Sequence, residues 1–333
     1  AYSVSGLRHG KELDMKNNSS TNQQPAILVV GSGVGGIATA ITLAELGYAA
    51  KLADRSMATA GILNSLDHQF PNNHCGLCRL LPMLDRDGGP QTCLRKGLFH
   101  DRIEVLSGTD IRSVSGRPGQ FEVEIERTPT GVITAACNGC GDCETACPVS
   151  IPDRFNAGLS TKKAIHLPVP HQASCQRVID WEACTRCAAC VEACPADAIR
   201  LDDQAASETL TPIAAVVLAN GARPFDTTGI DLYGTDHIDN VVTAEAFERI
   251  LSSSGPYAGK PVRPADQKPF RKVAWVQCVG SRNKTIDADY CSNVCCMFAL
   301  KEAVLTKEKI GPEADTAIFY MDLRTFGRDY QRY

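Results

Sequence analysis

Two stretches of the chain repeat one pattern of thiols, CNGCGDCETACP from Cys137 to Pro148 and CTRCAACVEACP from Cys184 to Pro195. CxxCxxCxxxCP spacing lets the first three thiolates wrap one 4Fe-4S cubane while the fourth, followed by proline, turns away to a neighbouring cluster. On that rule Cys137, Cys140, Cys143 and Cys194 hold one cluster, and Cys184, Cys187, Cys190 and Cys147 hold the second. The chemistry is single-electron transfer. Zinc knuckles could use the same residues, but they explain neither the three-plus-one spacing nor the paired prolines. Eight of the 16 cysteines of this 333-residue chain lie in these runs and read as ligands in a reducing compartment, since those within each run lie too close along the chain to pair comfortably as disulfides. The 36 residues separating Cys147 from Cys184 make a longer link than a minimal ferredoxin needs, and Cys175 within it reads as a non-ligand.

A second group of candidate residues lies nearer the start, in PAILVVGSGVGGIATAITLAELGYAAKLADRS. An apolar β-rich run leads into Gly31-Ser32-Gly33-Val34-Gly35-Gly36, helical periodicity follows to Leu46, Gly47 stops it, and a second strand over 49–53 ends at Asp54. In this order the pieces predict a dinucleotide cradle. Gly31 makes the tight turn, Gly33 lets the backbone approach a pyrophosphate, Gly36 permits close helix–strand packing, and Asp54 accepts from ribose hydroxyls. A later run, AAVVLANGARPFD, reads as a buried strand ending in Gly221, the second strand-and-glycine element of flavoproteins of the thioredoxin reductase type. That company favours FAD over NAD. Between the two, residues 103–128 alternate as strands do, with Gly116 and Gly119 at a turn.

After Lys272 a second dinucleotide fold is expected, yet KVAWVQCVGSRN carries Cys278 where a phosphate loop would stand, and Cys291, Cys295 and Cys296 follow in DYCSNVCCMFALKEA. These four are candidate ligands of a third cluster; the alternative is that Cys295 and Cys296 are small buried helix residues. Cys75 and Cys78 offer only two thiols, so a metal there needs partners from elsewhere, and a redox disulfide or a partner subunit is equally open. Cys93 and the histidines show no ligand geometry. The proline-rich stretch 259–272 reads as a solvated loop.

The domain order that follows is a disordered polar tail (1–24), a first part of a Rossmann-like FAD-binding domain (25–131), an inserted α+β two-cluster ferredoxin domain (132–203), a flavoprotein continuation and linker (204–271), and the start of a second dinucleotide-type fold (272–333). The fold class is α/β, truncated at its C-terminus. The tail lacks the apolar core of a signal peptide, no run of 18 apolar residues occurs, and the expectation is a soluble cytoplasmic protein. With 44% hydrophobic and 22% charged residues and a net charge of -4, there is no electrostatic case for nucleic acid.

The stretches VVGSGVGGIATAITLAELG, LDHQFPNNHCGLCRLLPM, the two cysteine runs with DRFNAGLSTKKAIHLP between them, VVLANGARPFD, WVQCVGSRN and YCSNVCCMFALKEA resemble the A-type subunit family of heterodisulfide reductase from anaerobic bacteria and archaea. The resemblance covers 25–333 almost without a break. It implies an FAD-containing iron–sulfur protein that takes electrons from a hydrogenase, formate dehydrogenase or similar donor and, in many members, bifurcates them at flavin. One branch reduces ferredoxin, and the other reduces a disulfide such as CoM–CoB heterodisulfide through companion subunits. Members of that family often carry an additional N-terminal cluster domain and a C-terminal ferredoxin domain, neither of which is read in this sequence, and Asp54 stands where glutamate is commoner. Two other functions fit the motifs: an NADPH-linked flavin–ferredoxin oxidoreductase similar to the small subunit of glutamate synthase, and a non-catalytic iron–sulfur carrier.

Overall fold

The computed structural model describes residues 25–66, 78–79, 92–93, 97–170, 176–327 and 330–332. The tail 1–24, Cys75 and Cys175 lie outside the described residues. The apolar run forms β1 (Ala26–Val30), whose Leu28 and Val29 are both without exposure, so the strand is covered on both faces. Helix α1 (Val34–Glu45) buries Gly36, Ile37, Ala40, Ile41 and Ala44, a stripe at helical spacing. It ends where Gly47 takes φ +92°, a left-handed turn suited to glycine. Strand β2 (Ala50–Ala53) returns parallel to β1. A two-residue pair follows, β3 (Cys78–Arg79) with β4 (Thr92–Cys93), Cys78 standing opposite Cys93.

Three further strands, β5 (Ile103–Leu106), β6 (Thr109–Arg117) and β7 (Gln120–Arg127), precede the thiol-rich segment, and β12 (Ala206–Leu218) follows it. Together they make a six-stranded sheet in the order β5-β2-β1-β12-β7-β6. Its β5-β2-β1-β12 part is parallel and its β12-β7-β6 part antiparallel. Fully buried Leu28, Ile37 and Leu52 anchor it, each contributing roughly 1.5–3 kcal/mol relative to exposure. β12 corrects the sequence reading: it is thirteen residues long, only half-buried, and stops at Leu218, which is 70% exposed, three residues short of Gly221. Its long N-terminal half is an antiparallel partner of β7, facing solvent, which an apolar-run criterion does not detect.

Ala206 faces Arg127 across the β12–β7 ladder, so the chain leaves and re-enters the sheet at one point, the geometry that makes an insertion tolerable. The segment between holds α2 (Asp142–Ala146), β8 (Ser150–Pro152), β9 (Thr161–Lys163), β10 (Ile165–His166), β11 (Val178–Ile179) and α3 (Ala189–Glu192). Val132, Ala164, Ile165, Ile179, Ala198 and Ile199 form a separate core there, together with Cys143, Cys147 and Cys190.

Past β12 come α4 (Ala244–Leu251), capped by the Thr243 hydroxyl, then β13 (Lys272–Val276), α5 (Cys295–Ile310) and β14 (Asp315–Phe319). β13 and β14 pair in parallel. Phe247, Ile250, Leu251, Trp275, Ala299 and Leu305 make the core of this unit.

Candidate metal and cofactor centres

Cys137, Cys140, Cys143 and Cys194 line one recess of about 310 Å³ with Val132, Ala196, Ala198, Ile199 and Arg177. Left-handed Gly139 (φ +77°) and Gly141 (φ +90°) fold the loop so that α2 starts at Asp142 and carries Cys143 inward. Asn138 Oδ1 accepts from the Cys140 N–H at 3.1 Å, and Cys194 Sγ from the Ala198 N–H at 3.4 Å. Arg177, mostly buried, donates from Nη1 to the Gly139 carbonyl at 2.7 Å and from Nε to Glu144 at 3.4 Å. Burial pushes the Cys143 thiol up to about 11, offset by the Arg177 charge and reinforced by Cys140 and Cys194. Binding a metal at such thiols releases protons.

Cys147, Cys184, Cys187 and Cys190 line a second recess of about 320 Å³ against Val149, Ala164, Ile165, Ile179 and Leu201. Here Arg186 (φ +56°) and Ala188 (φ +65°) make the tight loop that glycines make in the first. The Arg186 N–H donates to Cys184 Sγ at 3.4 Å, and its guanidinium lies 5.4 Å from the Trp181 ring centroid. Burial raises the Cys190 thiol, with Cys184 and Cys147 adding to the effect. In both recesses three thiols come from one run and the fourth from the other. Among the described residues no three Cys, His, Asp or Glu side chains converge as a single ion would need.

At the end of β1 the glycines differ in what surrounds them. A Cβ on Gly31 (φ +105°) would lie 2.2 Å from the Ala219 carbonyl oxygen, and one on Gly36 would lie 1.7 Å from that of Gly31. These two are forced by close packing. Around Gly33 and Gly35 a Cβ would meet nothing within 4 Å, leaving an open cradle at the N-terminus of a 12-residue helix whose first turn carries no acidic side chain. Such a helix end favours an anion. Asp54 sits where the sequence puts it, but its carboxylate is already engaged: Oδ2 accepts from Ser32 N–H at 2.5 Å and Ser32 Oγ at 2.8 Å, Oδ1 from Ser56 N–H at 2.8 Å. It straps the glycine loop to β2, with acceptor capacity left on each oxygen. Gly221 (φ +70°) lies in the open loop beyond β12.

Of the third set, Cys278 (φ +62°) lies after β13, while Cys295 and Cys296 begin α5. Burial raises Cys296, and neighbouring Cys295 and Cys278 raise it further, so these three share one locality. Cys291 Sγ accepts from the Asn293 N–H at 3.4 Å in the loop before α5; among the described contacts none joins it to the other three. For Cys78 and Cys93 the backbone pairing is what the structure shows.

Sequence reasoning missed several buried polar groups: Arg177, Arg249, and the cluster in which Lys301 pairs with Glu248 at 2.5 Å and Trp275 Nε1 donates to Glu302 at 2.7 Å. The signal was weak, because a charged residue within a helical pattern is ordinarily solvent-facing.

Residues 177–200, which contain the second cysteine run, match the 4Fe-4S binding domain family. The chain is 36% identical over 327 residues to the A-type iron–sulfur subunit of CoB–CoM heterodisulfide reductase from Methanocaldococcus jannaschii, covering 98% of this chain and 48% of that protein. It is 34% identical over 321 residues to the A-type subunit of the H(2):CoB-CoM heterodisulfide,ferredoxin reductase from Methanothermobacter thermautotrophicus, covering 96% and 47%. Against the second A-type iron–sulfur subunit of CoB–CoM heterodisulfide reductase from Methanopyrus kandleri it is 40% identical over 307 residues, covering 92% and 45%. The chain thus spans about half the length of these relatives. Among solved structures, L-proline dehydrogenase from P. horikoshii aligns over 91% of this chain and 37% of its own, at 12% identity and a TM-score of 0.33.

Proposed function

Because this chain belongs to the A-type subunit family of CoB–CoM heterodisulfide reductase over the half of those proteins that it spans, we propose that it is the flavin- and iron–sulfur-dependent electron-transfer component of such a complex. One observation carries the reading: the fourth cysteine of each run lines the recess of the other, giving two four-thiol sites side by side. Cys137, Cys140, Cys143 and Cys194 would hold one 4Fe-4S cluster, Cys147, Cys184, Cys187 and Cys190 the other, and Cys278, Cys291, Cys295 and Cys296 a third. Gly31, Gly33, Gly35 and Gly36 with the N-terminus of α1 would seat the FAD pyrophosphate. Asp54 and Gly221 would border the ribose and flavin side. FAD, when bound, supplies the exchange between paired and single electrons.

The chain's own residues then act by placement. The apolar walls of both recesses exclude water, the N–H groups of Ala198 and Arg186 donate to Cys194 and Cys184, and Arg177 brings positive charge to the first recess. The N–H donors and the Arg177 charge raise the tendency of a cluster to take an electron, while the apolar walls oppose it by desolvating the added negative charge. Companion subunits, ferredoxin, and a hydrogenase or formate dehydrogenase donor are the proposed partners, in the cytoplasm. Among the described residues no helix is long and apolar enough to cross a membrane.

Anaerobic iron and flavin analysis of the purified protein tests this: about eight irons from the two runs, about twelve with the third set, and one flavin per chain. Cys194→Ser should perturb the cluster held by Cys137, Cys140 and Cys143, leaving the signal of its own run intact. Iron near four, or loss of the signal from its own run, would overturn the crossed assignment. The pyridine-nucleotide alternative is disfavoured by the loop after β13, where a Cβ on Gly280 would lie 2.1 Å from the Phe225 ring. The glycine there faces an aromatic side chain instead of open space, and rapid flavin bleaching by NADPH would revive that alternative.

A further inference from the structure

The long link between the cysteine runs has a structure of its own. β8 and β9 pair antiparallel, Ser150 opposite Lys163 and Pro152 opposite Thr161, and carry the tip DRFNAGLS at residues 153–160. Asp153 organises the tip. Its Oδ1 accepts from the Phe155 N–H at 3.1 Å, its Oδ2 from Asn156 Nδ2 at 2.7 Å and Ser160 Oγ at 3.3 Å, and its carbonyl from the Gly158 N–H at 2.9 Å. None of residues 153–160 lines either recess.

The tip reaches outward, to α4. Arg249, with no exposed surface, donates from Nε to Asn156 Oδ1 at 3.1 Å, from Nη1 to the Ser65 carbonyl at 2.9 Å, and from Nη2 to Ser254 Oγ at 2.9 Å. Its guanidinium lies 4.2 Å from the Phe155 ring centroid. Beside it Leu159 packs on the core of Phe247, Ile250, Leu251 and Trp275. One buried side chain thereby joins the tip of the thiol-bearing module, the end of the glycine-loop region and α4. The planar fork spreads its donors over three nitrogens and lays a flat face on Phe155, whereas a lysine would offer its three donors from one rotatable nitrogen and no stacking face.

We propose that Arg249 is a positioning residue that docks the two-recess module, through Asn156 of the tip, onto the Ser65 end of the glycine-loop domain and so sets the path between flavin and clusters. The path, though not the docking, rests on the function proposed above. Docking by a buried polar fork specifies one orientation, whereas Leu159 alone, a non-directional contact, would allow the module to slide. The longer link between the runs is the material from which the dock is made.

The test uses Arg249→Met and Asn156→Ala in the whole protein loaded with clusters and flavin, with Arg249→Lys as the conservative control. Flash photoreduction of flavin followed at cluster absorbance reads the intramolecular transfer rate, redox titration reads the cluster potentials, and hydrogen exchange reads protection of residues 150–163. The expected result is transfer slower by about tenfold or more, the scale on which misplaced partners act, with faster exchange in the tip and unchanged iron, flavin and potentials. The lysine control should restore little. Should Arg249→Met fail to fold, Asn156→Ala decides alone. Wild-type transfer rate and tip protection in a folded variant would overturn the proposal. If wild-type protein passes no electrons from flavin to clusters while tip exchange still rises in the variants, the docking stands and the flavin-to-cluster reading falls.

Discussion

The chain builds one supersecondary frame twice and gives it two chemistries. β1–α1–β2 and β13–α5–β14 are each a pair of parallel strands joined through a helix. In the first, residues 31–33 make the connection, and Gly33 and Gly35 leave an open cradle in front of the helix. In the second, residues 277–294 intervene, Phe225 fills the space at Gly280, and thiols stand at the helix N-terminus. A helix N-terminus favours negative charge in either case; the first loop leaves that end open beside glycines, whereas the second sets thiols there, of which Cys296 is held in its neutral form by burial. The frame supplies the field and the loop selects what feels it.

The sharpest way to break the comparison is Gly33→Val. Its φ is -67°, ordinary for any residue, and its Cβ meets no protein atom, so folding should survive while the side chain occupies the cradle. Flavin content should fall from one per chain to near zero with iron retained. Full flavin occupancy would show that the two loops do not differ as argued. Next in size, Cys295→Ser should remove about four irons of twelve without affecting flavin, checked by iron analysis and low-temperature EPR. Unchanged iron would reduce the second loop to a pair of small buried helix residues.

How much of this was legible depends on how local each feature is. The cysteine runs and the glycine loop carry their spacing within a dozen residues; the expected groups of thiols are those that line the two recesses, and Gly36 is packed as read, while the crowding at Gly31, read only as a turn, was not foreseen. Asp54 was placed correctly at the end of β2, but its bonds to Ser32 and Ser56 depend on how the loop folds back. The third set was inferred from a missing phosphate loop; its members meet only once β13 and α5 pack. Least legible was α4, where Glu248 and Arg249 look like the solvent face of a helix yet have no exposure. Their burial comes from α5 and the module tip, partners 53 and 93 residues distant, which no periodicity within eight residues encodes.

Two adjacent glycines sharpen the packing side of the comparison. Gly36→Ala puts a methyl 1.7 Å from the Gly31 carbonyl oxygen, a backbone clash that should cost about 3 kcal/mol, the upper end of ordinary overpacking. Gly35→Ala meets nothing within 4 Å in the first turn of α1 and should stabilise by about 0.5–1 kcal/mol. Denaturant midpoints of the two variants measure the contrast. Equal midpoints would mean that α1 does not approach β1 as closely as described.

The smallest effect separates the helices by their buried faces. Every buried residue of α1 is apolar or glycine, whereas α5 buries Lys301, Glu302 and Thr306. Glu302 is wholly buried. One of its oxygens accepts from Trp275, and the other has no hydrogen-bond partner among the described residues. Burial first, then the neighbouring Glu248 charge, holds its carboxyl well above the usual carboxylate range, against the opposing pull of Trp275 and Lys301. The sign follows directly. A folded-state value above the unfolded one means that the native chain binds the extra proton, so this stabilising contribution is complete below the unfolded value near 4.5 and is lost as pH rises toward the folded one. Glu302→Gln keeps an acceptor for Trp275 and does not titrate. Its stability relative to wild type should therefore climb with pH from 5 to 8, by at most about 1.4 kcal/mol per pH unit. Parallel pH profiles for Glu302→Gln and wild type would show that the carboxyl is ionised in the native protein and that α5 has accommodated its charge.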